Sequence, residues 1–193
     1  MKTTILEKPK QMPVGLTDAK RYLKVTHTQE DGVIERLIET ATEMVEQYTR
    51  RKLMPQVLNS FIPFEPNHKR QKGLQRVWVC VDRYVFFLPY GPVSEVVSLE
   101  RIEEEGTLSP LGRYDFHVNT KTDPAMVVIE KRRGFGVRAV YKVGYAGAIP
   151  APLIQAILTI VGRLYSDRTL DQGDVLKHVS TLLAPYVVGR GKL

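Results

Sequence analysis

The chain has 193 residues, a single cysteine and a formal net charge of +7. That length suits one domain, or one domain carrying an insertion. With 43% hydrophobic and 25% charged residues it is neither disordered nor membrane-embedded in composition, and Cys80 alone supports neither a disulfide framework nor a multi-cysteine zinc site. Residues 1–55 carry ten basic and eight acidic groups, residues 56–148 thirteen and ten, and residues 149–193 five and three. An excess spread so evenly does not read as a nucleic-acid-binding arm.

The opening MKTTILEKPKQ lacks the apolar core of a signal peptide. A short helix is expected after Thr17, a turn at residues 26–28, and then a long amphipathic helix. Its apolar stripe is Val33, Ile34, Leu37, Ile38, Ala41, Val45 and Tyr48, the i, i+3, i+4, i+7 spacing of one buried face. Glu35, Glu39, Glu43 and Glu46 fall on the other side. Thr17 and Thr28 have the chemistry of N-caps, with Asp31 three residues beyond Thr28 imitating a capping box. Arg50, Arg51 and Lys52 follow the helix, where positive charge complements its C-terminal dipole.

After Pro55 the apolar period changes from 3.6 to 2. Short strands are expected around Val57, Asn59 and Phe61, around residues 77–81, and at 84–88, 96–102, 114–118, 126–130 and 138–143. Cys80, alternating with Val79 and Val81, reads as a buried thiol. Turn signals stand at 105–106, 110–112, 122–124 and 134–136. Six or seven such strands point to an antiparallel sandwich or small barrel. Lys131, Arg132 and Arg133 form the sharpest basic cluster, read as the tip of a hairpin and a candidate contact with DNA or an acidic partner.

Helical spacing returns at Pro150. Pro152 suits a first turn, and the apolar residues of 153–165 cover nearly the whole circumference, so this helix belongs to a core or a subunit interface. A polar connector containing Gly173 is then expected, followed by a short helical turn over residues 180–186. The fold class is α+β: a helical bundle from residues 1–55 and 149–193, with residues 56–148 inserted as an antiparallel β-sandwich or barrel.

Catalytic signatures are missing from the pattern. His27, His68, His117 and His178 are scattered without metal-ligand spacing. Glu103, Glu104 and Glu105 read as a solvated turn, and Gly134 and Gly136 lack the third glycine of a dinucleotide fingerprint. No enzyme, cofactor or metal site is expected.

The N-terminal helical pair ending in Tyr48-Thr49-Arg50-Arg51, the Gly144-Tyr145 step before Pro150 and Pro152, the helix over 153–165 and the ending Leu182-Leu183-Ala184-Pro185-Tyr186 resemble the head–tail connector (adaptor) proteins of tailed phages. The likeness is to the longer subgroup with a β-rich insertion, which has relatives in prophages and gene transfer agents. It implies a structural virion protein of the neck, made in the bacterial host cytoplasm. It further implies a ring, commonly a dodecamer, between the portal protein and a stopper or tail-completion protein, with double-stranded DNA passing through its lumen and no membrane. Portal docking then falls to Ser180, Leu182, Leu183, Tyr186, Val187, Val188, Arg190, Lys192 and Leu193. The rival readings are a non-enzymatic nucleic-acid-binding module and a different neck protein, either a head-completion stopper or a tail terminator.

Overall fold

The computed structural model describes residues 2–64, 79–80, 83–131, 133–167 and 172–189. The chain divides into two compact units. One comprises Met1–Pro9, Pro55–Ala146 and Val188–Leu193, the other Lys10–Met54 and Gly147–Val187.

The β unit has nine strands: β1 (Lys2–Glu7), β2 (Gln56–Pro63), β3 (Val79–Cys80), β4 (Arg83–Phe87), β5 (Val93–Ile102), β6 (Leu108–Pro110), β7 (Phe116–Asn119), β8 (Met126–Ile129) and β9 (Gly136–Val143). They form a five-stranded sheet in the order β1-β2-β9-β5-β6 and a four-stranded sheet in the order β3-β4-β8-β7. Every neighbouring pair is antiparallel. The sheets share one core and do not close into a barrel. Alternation builds that core: Leu58 and Ile62 from β2, and Val137, Ala139 and Tyr141 from β9, meet Tyr84 and Phe86 from β4, and Val127 and Ile129 from β8. Fully burying each large side chain contributes roughly 1.5–3 kcal/mol. A polar thread crosses one edge of this core, where Thr3 Oγ1 meets Ser60 Oγ at 2.8 Å and Ser60 Oγ meets the Tyr141 hydroxyl at 2.9 Å. Burial holds the Tyr141 phenol well above its ordinary range, with the Ser60 hydrogen bond opposing. On the outer face, Lys142 pairs with Glu95 at 2.7 Å and Arg138 with Glu100.

β1 differs from the expected helical assignment of residues 1–55. Lys2–Glu7 pairs with β2 in the β unit, and the β-branched Thr3, Thr4 and Ile5 suit a pleated surface. The odd residues singled out on β2 are its outer side; Leu58, Ser60 and Ile62 face the core. β6 was not expected, because Pro110 reads as turn. Trp78, His68 and the loop over residues 67–73 lie outside the described residues, as does the Cys80 side chain.

The helical unit contains α1 (Leu16–Leu23), α2 (Asp31–Thr49), α3 (Ala151–Ser166) and α4 (Gln172–Leu183), then a 3-10 turn at Ala184–Tyr186. α2 packs on α3, and α1 and α4 each pack on both. Ile34, Ile38, Ala41 and Val45 are buried as read, while Val33, Leu37 and Tyr48 are half-buried. On α3, Leu153, Ala156, Ile157, Ile160 and Val161 are buried. Ile154, Leu158, Leu164 and Tyr165 on the same helix are half-buried. Neither proposed threonine caps its helix: the N-caps are Gly15 and Glu30, without side-chain cap bonds. Asp31 serves instead as partner of Lys20, at 2.5 Å. α4 replaces the expected connector. Val175, Val179 and Leu183, four residues apart, form a buried stripe that extends the helix back past Gly173.

Candidate assembly surfaces

Glu46 and Arg51 fix the end of α2 and the start of the C-terminal segment. α2 ends with Arg50 in the left-handed conformation, φ 55°, a position more often filled by glycine. The chain then folds back, and Glu46 is only 7% exposed. Its carboxylate accepts the Leu53 backbone N–H at 2.9 Å and the Lys52 ammonium at 2.6 Å. Glu46 therefore does not belong with the exposed Glu35, Glu39 and Glu43. Arg51 Nε donates to the Tyr186 carbonyl at 2.6 Å, tying the 3-10 turn to the end of α2. The basic cluster 50–52 thus makes specific bonds beyond any dipole effect, a role its position alone did not reveal.

The residues expected to dock on a portal divide by burial. Leu183 is wholly buried and Val188 is 5% exposed. Leu183 completes the α4 stripe, so its side chain is part of the core. Ser180, Leu182, Tyr186 and Val187 are half-buried, and Thr181, Ala184 and Pro185 are exposed between them. Arg190, Lys192 and Leu193 lie outside the described residues. At the start of α4 the hydrogen bond and charge of Lys177 hold the Asp174 carboxyl below its ordinary range, and His178 adds in the same direction.

Lys131 and Arg133 are both exposed, and Arg132 is outside the described residues. They do not sit at a hairpin tip. β8 belongs to the four-stranded sheet and β9 to the five-stranded one, so residues 130–135 cross between sheets. Backbone bonds pin the crossing: Phe135 N–H donates to the Ile102 carbonyl and Phe64 N–H to the Phe135 carbonyl, each at 2.8 Å. Gly134 has φ +77°, and a Cβ there would stand 2.2 Å from the Ile102 carbonyl oxygen. Only glycine fits so close an approach at that φ. The turn carrying Glu103, Glu104 and Glu105 follows Ile102 directly. Gly134, next to Arg133, thus comes close to the backbone of Glu103 at the start of that acidic turn.

Of the histidines, His27 lies 3.8 Å from Glu30 and His117 lies 3.5 Å from Glu130. His178 Nδ1 contacts the Asp174 carbonyl at 2.8 Å. Among the described residues no three His, Cys, Asp or Glu side chains converge as a metal site, and no helix is long and apolar enough to cross a membrane.

Residues 14–74 match the family model described as phage gp6-like head-tail connector protein. No curated protein matches the sequence. The whole fold is similar to a chain in the neck of an empty gene transfer agent (GTA) particle computed with C6 symmetry. That pair has a TM-score of 0.71 and 17% identity, covering 100% of this chain and 98% of the other. The same figures hold for a chain of the native GTA virion. A chain from the native GTA neck computed with C12 symmetry gives 0.71 at 15% identity, with the same coverage. Residues 14–74 thus match the sequence pattern of the phage gp6-like head–tail connectors, and the chain shares its fold over its whole length with chains of GTA particles.

Proposed function

We propose that the protein is a non-enzymatic virion protein that forms a ring in the neck of a phage-like particle. The ring sits under the portal, carries DNA through its lumen toward the tail, and meets a stopper or tail-completion protein below. The observation that carries this reading is the joint one: the family's sequence over the N-terminal helices, and a fold shared from end to end with chains of GTA necks. A dodecamer is the expected ring. The described β crossover, with charges of both signs, favours weak and sequence-independent contact with DNA over tight binding, which would hinder passage.

Docking on the portal is assigned to the exposed side of the C-terminal segment, chiefly Ser180, Leu182, Tyr186 and Val187, and to the tail with Arg190, Lys192 and Leu193. Leu183 and Val188 are buried and so do not form part of that surface. Removing residues 189–193 tests this. The shortened protein is expected to keep its melting transition and lose binding to the portal. Undiminished incorporation into particles would refute tail docking. Equal loss of folding would show that the tail is structural.

A further inference from the structure

Among the described residues, the five-stranded sheet ends at β1 on one side and at β6 on the other. There β1 is bonded only to β2 among the described residues, and five of its six residues are exposed, with Ile5 at 45% and Leu6 at 55%. Likewise β6 is bonded only to β5 among the described residues, and Leu108 is 43% exposed. An exposed edge offers a row of unpaired backbone groups on which another strand can form. All four neighbouring pairs of this sheet are antiparallel, so β1 and β6 run in the same direction. A second copy that continued the sheet would bring its β1 parallel to β6.

Charge selects that orientation. The turn before β6 carries Glu104 and Glu105, and Arg113 follows the strand. β1 begins at Lys2 and ends at Glu7. All five residues are exposed; among the described residues Lys2, Glu104, Glu105 and Arg113 have no ion-pair partner, and Glu7 has none within bonding distance, although its charge acts on Lys142. Parallel docking sets Lys2 beside the two glutamates and Glu7 toward Arg113. Antiparallel docking would set like against like at both ends.

We infer that β1 of one copy docks parallel on β6 of a second copy, so that the sheet continues from subunit to subunit. The two edges are different surfaces of one chain, and such a heterologous contact repeats around a ring. The inference rests on the proposed ring and names the surface that builds it.

The test is native mass spectrometry of the full chain over a range of concentrations, alone and with its portal. It compares Lys2→Glu, the pair Glu104→Lys and Glu105→Lys, and all three together. Each reversal alone is expected to raise the concentration for half-assembly about tenfold, and the combined variant to recover most of the loss. Melting transitions should match the parent's, since all three sites are exposed. If the parent forms rings and the reversals leave them intact, the edge contact is wrong while the ring stands. A closed dimer sensitive to Lys2→Glu but indifferent to positions 104 and 105 would mean that β1 pairs with β1, which also overturns it. A parent that stays monomeric alone and on the portal would remove the ring itself.

Discussion

Replacing Glu46 by alanine should unfasten the turn that follows α2. Two bonds are lost: one from the Leu53 backbone N–H at 2.9 Å, one from the Lys52 ammonium at 2.6 Å. Leu53 has no exposed surface, so its N–H cannot turn to water. An orphaned buried donor costs about 1–3 kcal/mol. Removing one partner of a fully buried ion pair costs about 3–5 kcal/mol. The Lys52 side chain retains 17% exposure, which puts the charge term well below that. The combined loss should be about 3 kcal/mol, with the melting temperature of the helical unit falling by roughly 12–24 °C. Glu46→Gln retains a carbonyl for Leu53 while losing the charge, and should cost about 1 kcal/mol. Denaturant unfolding followed by far-ultraviolet circular dichroism measures both variants. If the glutamine variant is as unstable as the alanine variant, the charge and not the backbone bond holds the turn. A loss below about 0.5 kcal/mol in the alanine variant would refute the whole account.

Leu183→Ala should destabilise the helical unit by about 2–5 kcal/mol, measured by denaturant unfolding, because it empties a fully buried position in the α4 stripe. Gly134→Ala should cost about 3 kcal/mol and lower the melting temperature of the β unit, since the new Cβ meets the Ile102 carbonyl at a positive φ. The raised Tyr141 pKa makes its contribution complete below about pH 10, the unfolded value, and progressively lost as pH rises above it. Absorbance titration should show one tyrosine that ionises only as the protein unfolds. Neutralising Lys131, Arg132 and Arg133 together should flatten the salt dependence of DNA binding, measured by fluorescence anisotropy, with ring assembly intact.

The long helices were legible because each buries a stripe with period 3.6, and the inner strands because each alternates. α4 was obscured by Gly173 and its polar neighbours, although Val175, Val179 and Leu183 keep helical spacing. β1 and β6 are short edge strands with little buried surface, so alternation leaves only a faint mark on them. Glu46 follows Glu43 by three residues and looks like a member of the same solvated side. What buries it is the backward fold of residues 50–53, which no local pattern contains. The basic cluster failed as a hairpin for a related reason. Spacing along the chain locates β8 and β9 but does not say that they belong to different sheets. Burial of Leu183 likewise depends on tertiary packing, which divides the C-terminal candidates into support and surface.

The β insertion leaves the helical sequence at β2 and returns to it from β9, and Gln56 stands opposite Val143 in the ladder. Opposed residues in an antiparallel pair have Cα atoms about 4.5–5.5 Å apart. The two ends of the folded insertion are therefore held close together, however many residues lie between them. The entropy of closing a long flexible chain between α2 and α3, which grows with length, is borne by the folding of the sheets. Loops of the sandwich can then lengthen or shrink at little cost to the helical unit. The paired strands at its base are the one part of the insertion where such freedom ends.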